Sequence, residues 1–257
     1  MCCFTKPVRS VESTRIFARA DHNERQFLVY SMKVDAEENL AMVLPLPVKP
    51  GTGEDGVHFI SLKDYPDFFD DLENGFPPPP SERATDSALA APPAQAAPLP
   101  VVQVGDFEAS FVPTEKDFSR LDPRFRLPKD AWKKLPGYHD YGFAVFKLKP
   151  RGLQKVHPMA FSFPRRDIHS LFFPTVHIHD GKVHSKAHFD HILYCQPNEG
   201  EPLKFGSTYD WQESSSHARG FVKIANAKKL VVPDQHCYRR PMNGDLPNRD
   251  TFVGLES

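Results

Sequence analysis

"TRIFARADHNERQFLVYSMKV", residues 14–34, decides how the rest of the chain is read. Two apolar runs flank the polar "DHNER", and in the second run Leu28, Tyr30, Met32 and Val34 alternate with Val29, Ser31 and Lys33. A period of two belongs to a strand with one face on a core, and a polar break between two such runs belongs to a hairpin. The pattern predicts an antiparallel strand pair.

Outward from this hairpin, strand signals keep recurring. "LAMVLPLPV" (40–48) is apolar on both faces, but Pro45 and Pro47 remove two donors from the same edge, so this strand, or its second half, belongs at a sheet edge. "VVQVGDFEASFVP" (101–113) reads as a strand pair or one long strand. "YGFAVFKLK" (141–149), "HPMAFSFP" (157–164), "LFFPTVHIHD" (171–180) and "KVHSKAHFDHILYC" (182–195) read as successive strands. Helical spacing is rarer. From about Pro66, Phe68, Phe69, Leu72 and Phe76 recur on one face, with Gly75 at the stop and Asp67, Asp70, Asp71 and Glu73 on the solvated side. "EKDFSRLD" (115–122) and "PKDAWKKL" (128–135) read as short helices, 210–230 has room for one more, and the tail 239–253 reads as turns, with Arg239 and Arg240 as an exposed pair. The fold class expected is α+β: a mostly antiparallel β-sheet or sandwich with a few short helices.

Residues 77–100, "PPPPSERATDSALAAPPAQAAPLP", form a Pro/Ala-rich tract too poor in apolar bulk to pack, read as a disordered excursion. The segment before it has too few elements to bury its own sheet, so 1–257 is expected to be a single β-rich domain interrupted by the tract. With 40% apolar residues and 21 Phe, the chain can build a sizeable core. Lys and Arg number 32 against 33 acids, and no basic run carries interleaved aromatics, which disfavours nucleic acid as a partner. No apolar run approaches the roughly 18 residues of a membrane span and "MCCFTKPVRS" has no apolar leader, so a cytoplasmic protein away from membranes is expected. A small molecule or a peptide remains open as partner, and the oligomeric state is not readable.

Two features carry candidate chemistry. Cys2 becomes the first residue if the initiator Met is trimmed, placing a thiol beside an α-amine as nucleophile plus base or as a chelate. The second is the cluster His177, His179, His184, His188 and His191. Asp180 and Gly181 are a strong two-residue hairpin signal, and such a turn sets His177 opposite His184. Period two then puts Val176, Ile178, Val183, Ala187, Phe189 and His191 on a core face, and His177, His179, His184 and His188 on the other. Imidazoles so placed could share one ion at about 2.0 Å from each nitrogen. They suit several transition metals, and a thiolate such as Cys2 would favour zinc or copper. The alternative is the wet face of an antiparallel sheet, with Lys182 and Lys186 beside it.

"CCFTKPV", "TRIFARA", "AMVLPLPV" and later "YGFAVFKLK…HPMAFSFP" together resemble the bacterial domain-of-unknown-function family 2330, over the first fifty residues and 140–195. The resemblance implies no chemistry. It implies exported proteins with a cysteine just after a signal sequence, whereas no such leader is expected here from "MCCFTKPVRS". Three functional readings stand side by side: a metal-dependent hydrolase or oxidase on the histidine cluster, an enzyme with an N-terminal cysteine nucleophile at Cys2, and a non-catalytic binding or scaffold module.

Overall fold

The structure is a computed structural model describing residues 2–76, 101–104, 107–121, 126, 136–149, 152–178, 184–197, 203–204 and 210–255. The strands of the first third are β1 (Cys2–Phe4), β2 (Ser10–Ala20), β3 (Arg25–Ala36), β4 (Leu40–Leu46) and β5 (His58–Ser61), followed by the helix α1 (Phe68–Glu73). Then come β6 (Val102–Val104), β7 (Phe107–Val112), β8 (Gly142–Leu148), β9 (Gly152–Lys155), β10 (Met159–Pro164) and β11 (Ser170–Phe173). The last are β12 (His177–Ile178), β13 (Lys186–Gln196), β14 (Leu203–Lys204), β15 (Gln212–Glu213), β16 (Tyr238–Pro247) and β17 (Thr251–Leu255).

The 14–34 hairpin forms as expected: β2 and β3 run antiparallel from Ala20 opposite Gln26, with a bulge between Glu12 and Arg15. It lies inside an eight-stranded sheet ordered β15-β16-β13-β2-β3-β10-β5, with β9 also on β3. A six-stranded sheet runs β12-β1-β4-β8-β7-β6, and a small third sheet runs β11-β17-β14. Strands from before the 77–100 tract pair with strands from after it in both large sheets: β4 with β8, β3 with β10, β2 with β13 and β1 with β12. The tract itself lies outside the described residues.

The layers follow from the alternation. Leu28, Tyr30, Met32 and Val34 of β3 meet Met42 and Leu44 of β4 and Phe146 of β8 in the core between the two large sheets. The opposite face of β4 and β8 (Ala41, Val43, Phe143, Val145) packs under Phe118 and Leu121. The opposite face of the eight-stranded sheet (Phe17, Val29, Ala160, Tyr194) is covered by Phe68, Phe69 and Leu72 of α1 and by Ala218, Val222 and Leu230. This explains why Val29 breaks the polar half of the β3 pattern: its face is roofed by a helix. A six-residue helix does not stand alone in water, and three buried apolar side chains at about 1.5–3 kcal/mol each hold it on the sheet. The proline rule also holds. β1 meets β4 at Met42 and Val43, leaving Pro45 and Leu46 with β8 as their paired neighbour.

Three expectations are corrected. The fold is not α+β: the described residues contain one α-helix and three short 3-10 turns, and the sheets are mixed, since β1 with β12 and β2 with β13 are parallel. Residues 218–230 form turns in place of a helix. Lys228 and Lys229 take positive φ, and the carbonyls of Lys229 and Leu230 accept from the buried Arg19 guanidinium at 2.7 and 2.9 Å. The tail 239–253 is mostly strand, not turns. Its prolines and Gly244 (φ +89°) are tolerated because, among the described residues, β16 beyond Arg239 pairs on one side only, with β13. Of the other expected helices, 115–120 is a 3-10 turn and 128–135 lies outside the described residues.

Candidate functional site

β13 shows the alternation that builds the site. His188 is exposed, Phe189 buried, Asp190 half-buried and His191 buried at 1% exposure. The face carrying Leu193 and Cys195 lines the main core, and Phe189 and His191 extend it to the edge strand β12. There the His177 ring lies 4.5 Å from Phe189 and 4.6 Å from His191, centroid to centroid, with the two Nε2 atoms 3.1 Å apart. A ring partner of His177 is therefore His191, which the sequence placed on the core face.

The reason is topological. The expected Asp180–Gly181 turn lies outside the described residues; on its two sides β12 pairs in parallel with β1, setting Cys2 beside His177 and Cys3 beside Ile178, while β13 belongs to the eight-stranded sheet. The outer edge of β12 is met by side chains. Asn248 accepts from the His177 N–H at 2.7 Å and donates to the carbonyls of His177 and His184 at 2.9 and 3.0 Å. Asp250 accepts from the Val176 N–H at 3.1 Å and from the Tyr138 hydroxyl at 2.7 Å. Burial, with that carboxylate beside it, pushes the Tyr138 phenol upward. A short strand is thus clamped by two side chains that substitute for a neighbouring strand.

The other named residues sit elsewhere. His184 is exposed, and His188 faces solvent with its Nδ1 3.0 Å from Asp245 on β16. His179 lies outside the described residues, and Cys2 is placed here by its backbone register alone. Cys3 packs into the smaller core cluster. Cys195 and Cys237 are buried thiols whose pKa values burial pushes up, which removes thiolate reactivity from both. Among the described residues no three His, Cys, Asp or Glu side chains converge on a point that could hold a metal.

A second polar constellation surrounds the end of α1, where the 77–100 tract begins. Glu73 accepts from Arg239 and from the Tyr194 hydroxyl, Arg239 donates on to Gln212 at 2.5 Å, and its guanidinium stacks 4.8 Å above Phe76. Asp70 bridges Arg15 and Lys155, and Asp71 accepts from the Tyr65 hydroxyl at 2.8 Å. Asp67 is exposed as expected, whereas Asp70, Asp71 and Glu73 are half-buried pins that hold the helix. Arg239, expected in an exposed pair, is buried.

No family model matches the chain. The layers just described do have a counterpart among solved structures. The fold is similar to that of baculovirus P35. That crystal structure superposes with a TM-score of 0.50 at 13% identity, covering 97% of each chain. A mutated baculovirus P35 after caspase cleavage matches at 14% identity, 95% and 100% coverage and TM-score 0.45. The caspase-8/P35 complex matches at 11% identity, 95% and 96% coverage and TM-score 0.42. At such identities the likeness is one of fold, and it agrees with a chain built mainly from sheets. No helix among the described residues is long and apolar enough to cross a membrane.

Proposed function

We propose that this chain is a non-catalytic binding protein whose partner is a caspase-type cysteine protease, and that the protease takes the 77–100 tract as its peptide. The observation that carries the reading is the P35-like fold over nearly the whole chain; a mutated P35 has been seen after caspase cleavage, and P35 in a complex with caspase-8. The chain supplies chemistry that fits. The tract holds a single aspartate, Asp86, followed by the small Ser87 in "RATDSALA", and the bond between them is the one assigned to the protease. Its entry is fixed to the body by buried Phe76 against Tyr194, 5.9 Å between ring centroids, and by the Glu73–Arg239 pair. A peptide whose approach is held by a rigid scaffold loses less entropy on binding than a free one.

The test is direct. The full chain is incubated with an active caspase and its fragments are weighed. Cleavage between Asp86 and Ser87, lost in Asp86→Ala, with slowed turnover of a reporter peptide, is the expected result. An intact chain and undisturbed reporter turnover would remove the reading.

A further inference from the structure

We infer that His177 and His191 form a one-proton clasp between the two large sheets, which opens in mild acid and loosens the β12 edge. The two Nε2 atoms are 3.1 Å apart, and a hydrogen bond between two ring nitrogens holds a single proton. The rings belong to different sheets, His177 to β12 of the six-stranded one and His191 to β13 of the eight-stranded one. Little water reaches the pair on the β13 side. His191 is 1% exposed, and the Phe189 ring lies 4.5 Å from the His177 ring and 5.1 Å from that of His191.

The bond survives one added proton, which turns the donor ring into an imidazolium and makes the bond charge-assisted. A second proton sets two N–H groups and two positive rings against each other, with Phe189 where water would have to be. The described charged and titratable groups on the surrounding elements have other partners. Asp250 holds the Val176 N–H and the Tyr138 hydroxyl, Asp190 holds the Ser13 N–H, Arg15 pairs with Asp70, and Asp245 pairs with the exposed His188. Cys3 packs into the smaller core cluster. In the unfolded chain each imidazole takes up a proton near the ordinary pH of about 6.5. The closed clasp takes up one at most, so below that pH the unfolded chain binds more protons. The clasp's contribution to stability is therefore present above the ordinary histidine value and is lost as pH falls through it. The element that yields is β12, two residues long, paired with β1 and otherwise held by Asn248 and Asp250.

The test is urea denaturation of the full chain across a pH series from about 8 to about 5, with histidine ring NMR in parallel. Below about pH 6 the unfolding constant of the parent should rise about tenfold per pH unit more steeply than that of His191→Phe, an excess of one proton. His191→Gln, which keeps a hydrogen-bonding partner for His177, replaces it if the phenylalanine variant does not fold. His188→Ala, which removes an exposed ring, should follow the parent. In the NMR titration the two clasp rings should together take up one proton before the β12 signals move. Parallel pH profiles for the parent and the His191 variants, or two rings that both protonate fully while β12 stays unchanged, each overturn the clasp.

Discussion

At the scale of single residues, two charged side chains stand out, Arg239, which is buried, and Asp190, which is half-buried. Arg239 has 8% of its side chain exposed and holds Glu73 together with Tyr194. Arg239→Ala leaves a carboxylate with one hydroxyl partner, and because Glu73 keeps some solvent the loss is expected at the lower end for a broken buried pair, about 2–3 kcal/mol by urea denaturation. Asp190 is the second. Its carboxyl accepts the N–H of Ser13 at 2.5 Å, at a residue held at φ +53° in the β2 bulge, and burial raises its pKa above the ordinary 3.8. The folded state therefore binds that proton more tightly than the unfolded state, so this group's contribution to stability is full below the ordinary value and is lost as pH rises through the raised one. Asp190→Asn keeps an acceptor without the charge. The stability difference, parent minus variant, should fall as pH rises from below the ordinary 3.8 to above it, and a flat difference would contradict the assignment. Neither role was legible in the sequence. Arg239 read as one of an exposed pair because nothing in "RRPMNG" marks the arrival of Glu73 from 166 positions away.

At the scale of elements, short-range patterns were readable and partners were not. The 14–34 hairpin, the two-faced burial of β4 with its proline-limited second half, and the apolar stripe of α1 each follow from spacing within one segment. The histidine stretch failed at its partner: the period-two reading put His191 on the inward face correctly, but the turn signal could not disclose that β12 joins β1 in parallel. The tail failed because prolines and glycine read as turn, whereas a strand paired on one side tolerates them. Asn248 and Asp250 escaped notice because an amide standing in for a strand edge has no periodicity. One element carries a sharp expectation. A Cβ added to Gly75, just past α1, would lie 2.6 Å from the Phe221 ring. Gly75→Ala should cost about 1–3 kcal/mol and loosen the end of α1, seen as faster amide exchange over 68–76; an unchanged melting curve would contradict that close packing.

For the whole molecule, the decisive feature is that both large sheets interleave strands from either side of the 77–100 tract. A cut in that tract separates the chain into two pieces whose backbones remain joined by the pairings of β1, β2, β3, β4 and β5 with β12, β13, β10 and β8. The nicked protein should elute as one particle and melt cooperatively, and two separating fragments would contradict the topology. This is the property a protease partner requires if it is to remain bound after cutting, because the scaffold around the new ends does not fall apart. The most direct measurement is native mass spectrometry of the chain mixed with an equimolar active caspase. The expected species contains the protease with both fragments of the chain, cut after Asp86; free caspase beside an intact, unbound chain would contradict the proposed function.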